Sequence, residues 1–156
     1  MTILQPYVLF LGDAPDPLAA KVAQGIKDWR PGISVGQITL PGCKADMGLK
    51  NISVKEAVSL GAKTLVIGVA NRGGLISSKW MEVLKEAIVS GLDIASGLHN
   101  LLRDEKELVD LTKSNNTQLI DVRVPTINYP IANGKKRMGM RCLACLLYTS
   151  PSPRDQ

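Results

Sequence analysis

Short apolar runs alternate with amphipathic runs along the first 125 residues of the chain. Residues 7–11 are continuously apolar, which is typical of a strand covered on both faces of a parallel sheet. Further strand-like runs occur at 34–40, 64–69, 92–95 and 118–124, the last closed by Pro125. The alternation predicts an α/β fold, a three-layer Rossmann-like parallel sheet of about five strands with helices on both faces. For the strand order we favour 3-2-1-4-5, with 2-1-3-4-5 as the alternative.

The first predicted helix has a clear start signal and a clear apolar stripe. Asp16-Pro17 suits a helix N-terminus, because the aspartate accepts hydrogen bonds from free amides and proline fits the first turn. Asp13 competes with Asp16 for this capping role. The stripe predicts the face of the helix that packs on the sheet: Leu18, Val22, Ile26 and Trp29.

The other three helices also have predicted caps. Ser53 and Glu56 have the spacing of a capping box, in which each side chain binds the other residue's backbone amide. A serine at 77 or 78 is expected to cap the third helix. Asp104 with Glu107 is expected to open the fourth.

The pattern stops after Pro125, so residues 1–126 are predicted to form one Rossmann-like domain. Residues 127–144 have the character of a linker that leads toward a further domain. Residues 145–156 resemble the translation of a sequencing-library adaptor, which predicts an artefact rather than natural sequence. The reading frame is then expected to have been cut near Leu143 or Ala144.

Composition and charge narrow the function classes. The net charge of +5 comes from basic residues interleaved with acidic ones, and the basic run at 135–137 has no aromatic neighbours. That pattern argues against a nucleic-acid groove. One histidine and three irregularly spaced cysteines argue against a zinc site, and no metal is expected. Without an apolar run of ~20 residues or a secretory leader, we expect a cytoplasmic protein that does not enter a membrane.

Common nucleotide and hydrolase motifs are missing from the sequence. It contains no GxGxxG, no GxxxxGK[ST], no GxSxG and no HExxH. In an open parallel sheet, ligands bind beyond the carboxyl ends of the strands. The candidate residues are therefore those in the loops after the predicted strands: Gly12, Asp13, Pro15, Lys21, Gly42, Cys43, Lys44, Asp46, Gly48, Asn71, Arg72, Gly73, Gly74, Ser96, Gly97, His99, Asp121 and Arg123.

Several of these candidates have two interpretations. Gly73-Gly74 suits a tight turn, or an approach of backbone amides to an anion. Cys43 is either a nucleophile or, more in keeping with its surroundings, a buried small hydrophobe. Asp121 and Arg123 alternate along the fifth strand, so they could form an ion pair on one face. Arg72, beside a glycine turn, suits a carboxylate or a phosphate.

Four ordered segments of the chain resemble one family. The segments are 11–21 (LGDAPDPLAAK), 40–48 (LPGCKADMG), 66–74 (VIGVANRGG) and 91–99 (GLDIASGLH). Together they look like the N-terminal Rossmann-like domain of the D-glutamate N-acetyltransferase family, formerly catalogued as a domain of unknown function. The resemblance covers about residues 6 to 143.

The resemblance implies a two-domain enzyme with a C-terminal P-loop domain. Such an enzyme moves an acetyl group from acetyl-CoA to the amine of D-glutamate, in the breakdown of D-amino acids. It implies acetyl-CoA as co-substrate of the intact protein, no cofactor held tightly by the fragment, and a fragment that is inactive alone. For partners we expect the missing P-loop domain, a small amino acid and, in the intact protein, further copies of the chain.

Within the matching segments we predict three groups of site residues. For catalysis these are His99 and Asp46, either of which could take a proton from the substrate ammonium. For substrate binding they are Arg72, Lys44, Asn71, Gly73 and Gly74, and for cofactor binding Gly12, Asp13 and Lys21. Two other functions stay open: an NAD-dependent epimerase or dehydrogenase, which the missing GxGxxG disfavours, and a non-catalytic regulatory or oligomerisation domain.

Overall fold

The computed structural model of the chain describes residues 2–70, 75–125 and 127. The chain divides into two units, residues 1–126 and residues 127–156. Nearly all described residues belong to the first unit, since Ile127 alone is described in the second. The rest of the predicted linker, the basic run and the adaptor-like tail therefore lie outside the described residues.

Over residues 2–70 and 75–125, five strands alternate with four α-helices, which confirms the predicted fold class. The strands are β1 (Tyr7–Gly12), β2 (Ser34–Thr39), β3 (Thr64–Ile67), β4 (Asp93–Ser96) and β5 (Leu119–Asp121). The helices are α1 (Lys21–Trp29), α2 (Val54–Ser59), α3 (Ser78–Val89) and α4 (Lys106–Asn115). Two 3₁₀ turns, Pro17–Ala20 and Leu102–Asp104, precede α1 and α4.

The five strands are all parallel and lie in the order β2-β1-β3-β4-β5. The favoured order 3-2-1-4-5 is therefore wrong, and the alternative 2-1-3-4-5 is correct. Right-handed crossovers then place α1 on one face of the sheet and α2, α3 and α4 on the other. Contacts of α3 with both α2 and α4 agree with this arrangement, and a Lys85–Glu107 ion pair joins α3 to α4. Short-range patterns could not choose the order, because both topologies use the same elements.

The apolar run of β1 forms the centre of the core. Val8, Leu9, Phe10 and Leu11 are fully buried, so side chains on both faces of the strand are covered. This confirms the interpretation of the continuous apolar run. The strand lies between β2 and β3 and brings Gly12 to the edge where the strands end.

The apolar stripe predicted on α1 is wrong at Leu18, Val22 and Trp29, which are exposed, whereas Ile26 packs against the core as predicted. Leu18 is 75% exposed and Trp29 is 85% exposed, whereas Ala20 and Ala23 are fully buried. The reason is a close approach to the strand: a Cβ at Gly68 would lie 2.5 Å from the Cβ of Ala23. Only small residues fit at this contact, so Ala23 takes the position nearest the sheet and most of the larger side chains of the stripe are exposed.

Three of the four predicted caps are confirmed. The Asp16 carboxylate accepts the Ala19 N–H at 2.8 Å, the Ser53–Glu56 capping box is complete, and the Ser77 hydroxyl caps α3. The predicted Asp104–Glu107 pair is wrong. Asp104 lies in the preceding 3₁₀ turn, and α4 begins after Glu105 without a side-chain cap.

Candidate functional site

Because all five strands are parallel, their carboxyl ends meet at one edge of the sheet, where ligands bind in folds of this kind. Three parts of this edge carry the predicted site residues. The first is the switch point between β1 and β3, the second is the β2 loop (residues 40–51), and the third is the β4–β5 rim (residues 97–104 and 122–125).

At the switch point, Gly12 and Asp13 pack against an indole. Gly12 has a φ of +53°, and a Cβ there would lie 2.6 Å from the ring of Trp80. The Trp80 Nε1–H donates to the Asp13 carboxylate at 2.7 Å, and the ring meets Phe10 edge-on with 5.4 Å between centroids. Trp80 is 2% exposed, so its single polar atom requires a partner, which Asp13 supplies. These two predicted cofactor residues therefore have a packing role.

The start of α1 leaves few amides for a phosphate. In dinucleotide-binding folds, free amides at this helix N-terminus bind the pyrophosphate. Here the Ala19 N–H donates to Asp16, the Lys21 N–H to the Leu18 carbonyl, and the Ala23 N–H to the Gly68 carbonyl at 3.0 Å. The Lys21 side chain is on the exposed surface. This bonding argues against the NAD-binding alternative.

The β2 loop is built around a buried amide side chain. Gln37 is 4% exposed; it donates to the Asp46 carboxylate at 2.8 Å and accepts the Met47 N–H at 2.9 Å. The Gly48 N–H also donates to Asp46, at 2.8 Å. The Gly48 amide first, then the Gln37 amide, with a smaller contribution from Lys27, hold the pKa of Asp46 below its ordinary value. A carboxylate with a lowered pKa is a weak base.

The other predicted residues of the β2 loop make backbone contacts. The Lys44 N–H donates to the Ala14 carbonyl at 2.8 Å, which ties this loop to the segment after β1, while the Lys44 side chain is exposed. Cys43 is half-buried, with its Sγ 3.4 Å from the Ala45 carbonyl oxygen. Its surroundings agree better with a packing role than with a nucleophile.

The β4–β5 rim is anchored on a buried carboxylate. Asp121 ends β5 and is 2% exposed. Its Oδ1 accepts the Leu102 N–H at 2.7 Å, and its Oδ2 accepts Nε of Arg103 at 3.0 Å and the Arg103 N–H at 3.3 Å. The Val122 N–H donates to the Ser96 carbonyl at 3.0 Å, so the chain after β5 is fastened to the end of β4.

On this rim, Arg123 contacts the single histidine of the chain. Its Nη1 lies 2.8 Å from Nε2 of His99, and both side chains are exposed. The predicted Asp121–Arg123 ion pair is wrong, because β5 ends at Asp121 and Arg123 lies in the following turn. Asp121 pairs with Arg103 instead.

The sheet order separates the predicted catalytic residues. Asp46 follows the edge strand β2 and His99 follows β4, with β1 and β3 between them. Strands lie about 4.8 Å apart, so the two strand ends are about 14 Å apart. The predicted residues Asn71, Arg72, Gly73 and Gly74 lie outside the described residues.

Sequence reasoning missed three residues that organise this edge, Gln37, Trp80 and Arg103, and it missed the contact of the candidate Arg123 with His99. Trp80 binds a residue 67 positions away and Arg103 one that is 18 away, so no local spacing signals them. Over residues 2–70 and 75–125, no group of three metal-binding side chains comes together. In the same ranges, no helix is long and apolar enough to cross a membrane.

The chain is similar to one protein family and to several known proteins. A family of Rossmann-like domains of unknown function, DUF1611_N, matches residues 38–125. The chain is 63% identical over 139 residues to a D-glutamate N-acetyltransferase of Tritonibacter scottomollicae, covering 89% of the chain and 42% of the relative. It is 46% identical over 143 residues to a protein of the same name from a Pseudoalteromonas species, covering 92% of the chain and 43% of the relative.

A solved structure has the same fold. The crystal structure of a DUF1611 family protein from Anabaena variabilis superposes with a TM-score of 0.67 at 23% identity. The match covers 84% of this chain and 40% of that one. The chain thus spans about two-fifths of the length of each of these relatives.

Proposed function

The chain belongs to the DUF1611_N family of Rossmann-like domains, and we propose that it is the N-terminal, amino-acid-binding domain of an N-acetyltransferase that acts on D-glutamate. The observation that carries this proposal is the 63% identity to a protein named D-glutamate N-acetyltransferase. Because the chain spans 42% of that relative, the proposed activity belongs to a longer protein of which this domain is one part. The setting would be the breakdown of D-amino acids in the cytoplasm.

The proposed reaction sets the chemical requirements of the site. The amine nitrogen of D-glutamate attacks the thioester carbon of acetyl-CoA, a C–N bond forms, the C–S bond breaks, and the CoA thiol leaves. The substrate ammonium must first lose a proton, the tetrahedral oxyanion needs hydrogen-bond donors, and the two glutamate carboxylates need cations. Acetyl-CoA is therefore the proposed co-substrate of the longer protein.

The contacts of His99 favour substrate positioning over proton transfer, and those of Asp46 favour a structural role in the β2 loop. The lowered pKa of Asp46 makes its carboxylate a weak base, and Gln37 and Gly48 already occupy it. Nε2 of His99 accepts from Arg123, so that nitrogen is engaged. We therefore revise the two roles predicted from the sequence, and assign proton removal to neither residue.

Acetyl-CoA binding is proposed to depend mainly on the length of the relatives that the chain does not span. The amides at the start of α1 bind Asp16, Leu18 and Gly68, which leaves them poorly placed to hold phosphates. A P-loop domain, as the family resemblance implies, would supply such amides directly. This domain is then the part of the longer protein that binds the amino acid.

Joining residues 1–125 of this chain to the remaining length of the Tritonibacter relative tests the proposal. Thiol release from acetyl-CoA is measured with D-glutamate, L-glutamate and other D-amino acids, with the intact relative as the positive control. We expect release that depends on D-glutamate. A folded chimaera without such release, alongside an active relative, contradicts the proposed function.

A further inference from the structure

The contact between Arg123 and His99 joins a guanidinium to an imidazole nitrogen, whereas the ion pairs of the domain join a cation to a carboxylate. Arg103, the neighbouring guanidinium, is neutralised by the buried carboxylate of Asp121. Among the described residues, Arg123 has no carboxylate within salt-bridge distance, and its nearest polar partner is Nε2 of His99 at 2.8 Å. The positive charge of Arg123 is therefore uncompensated in the part of the chain that the structure describes.

The chemistry of the two groups fixes the state of the imidazole. A guanidinium has five N–H donors and no acceptor, so Nε2 of His99 must carry a lone pair to accept from it. The ring proton of the neutral imidazole then lies on Nδ1. In the described part of the chain, Nδ1 has no hydrogen-bond acceptor, so its proton is available to a ligand.

Both residues are held by a fixed framework at the edge where ligands bind. Asp121 fastens Leu102 and Arg103, and the Val122 N–H binds the Ser96 carbonyl. The Leu98 N–H donates to the Ser96 hydroxyl at 3.1 Å, directly before His99. The buried anchors preorganise the rim, while the tips of both side chains stay exposed.

We propose that Arg123 and His99 form a binding site for a carboxylate, and, resting on the proposed function, that this carboxylate is one of the two on D-glutamate. Arg123 offers its unused N–H groups to the two oxygens, and Nδ1–H of His99 is a second donor. One formal positive charge matches the single negative charge of a carboxylate. A phosphate dianion is attracted to the same charge, so inorganic phosphate is the competing anion against which the proposal is tested.

The single histidine makes the site directly observable in the 156-residue chain. In long-range ¹H–¹⁵N spectra, only His99 gives imidazole signals, and we expect the Nδ1–H tautomer. Titration with D-glutamate or glutarate should shift these signals with saturation, and inorganic phosphate is titrated in parallel as the competing anion. Loss of one charge-assisted hydrogen bond costs about 1.5–3 kcal/mol, so Arg123→Gln should weaken binding about tenfold or more.

Two variants control for charge and for shape. Arg30→Gln removes the same charge at the C-terminal end of α1, which leads to the opposite edge of the sheet, and should leave the titration unchanged. Arg123→Lys keeps the charge but loses the planar fork, so binding should lie between wild type and Arg123→Gln. Far-UV circular dichroism confirms that each exposed substitution leaves the fold intact.

The proposal is overturned if no anion shifts His99 in the wild type, if Arg123→Gln titrates like wild type, or if the proton lies on Nε2. Saturable binding of inorganic phosphate without binding of D-glutamate or glutarate also overturns it. The outcomes of this test can be distinguished from those of the test of the proposed function. Carboxylate binding without acetyl transfer by the chimaera preserves this site and removes the function. If the chimaera transfers acetyl and its KM for D-glutamate is unchanged by Arg123→Gln, the proposed function is preserved and this site is removed.

Discussion

The β2 loop and the β4–β5 rim lie at the same edge of one sheet, yet they use their charges differently. In the β2 loop, buried Gln37 binds Asp46 and Met47, so the predicted acidic site residue is satisfied within the loop. On the rim, buried Asp121 satisfies Arg103 and leaves Arg123 facing an uncharged imidazole. A charged residue at a strand end therefore indicates a ligand site only when no other group of the protein already compensates its charge.

Of the substitutions considered, one at the anchor of the rim should destabilise the domain most. Asp121→Asn removes the buried charge that accepts from Leu102 and Arg103, and we expect a loss of about 2–3 kcal/mol in the free energy of unfolding. Urea denaturation measures it. Asp110→Asn, which removes a surface partner of Lys113, should change stability by less than about 0.5 kcal/mol. Equal effects of the two variants would show that Asp121 is not an anchor.

Gln37, the anchor of the β2 loop, should contribute somewhat less to the free energy of unfolding than Asp121 does. Gln37→Leu leaves the buried Met47 N–H without its acceptor, and we expect a loss of about 1–2 kcal/mol in the free energy of unfolding. The matched control is Gln24→Leu, because Gln24 binds Asp28 on the exposed face of α1. Amide signals of the rim should not shift in Gln37→Leu. If they do, the two regions are coupled and cannot be treated as independent.

Acid should loosen the β2 loop through Asp46. Its pKa is lowered in the folded protein, so its stabilising contribution is present above the unfolded pKa of about 3.9 and is lost as the pH falls through the folded value. The carboxyl ¹³C shift of Asp46, followed by NMR, should have a midpoint below about 3.9. Gln37→Leu should raise that midpoint, because it removes one donor. A wild-type midpoint at or above the ordinary value contradicts the described bonding.

The least change in stability is expected at the proposed ligand site itself. Arg123→Gln alters an exposed side chain whose partner is also exposed, so the free energy of unfolding should change by less than about 0.5 kcal/mol. Urea denaturation in parallel with Asp121→Asn measures the difference between the two positions. A loss as large as that of Asp121→Asn would make Arg123 a structural residue.

Local patterns predicted the elements well and their assembly less well. The buried run of β1 and the Ser53–Glu56 capping box follow from neighbouring residues, so both were predictable. The stripe on α1 was misassigned because its orientation depends on the close contact between Ala23 and Gly68, which are distant in sequence. Strand order is likewise a property of the assembled sheet.

The same limit applies to the site. The position of His99 after a strand predicts a site residue, but the partner that gives it a role, Arg123, lies 24 residues further on. Asp13 was selected for its position after β1, and its bond to the Trp80 indole could not be inferred from spacing. Sequence reasoning therefore found the correct edge of the sheet, whereas the division of its residues between structure and binding required the contacts.

The affinity of Arg123→Gln for D-glutamate, compared with that of Lys44→Gln, decides which of the two regions binds the substrate. The ends of β2 and β4 are about 14 Å apart, whereas the carboxyl carbons of an extended glutamate are about 5 Å apart, so the two regions are separate candidates for binding a given carboxylate. Calorimetric titration of the 156-residue chain should show binding weakened about tenfold in Arg123→Gln and unchanged in Lys44→Gln. The opposite pattern would place the substrate on the β2 loop and exclude the rim as its binding site.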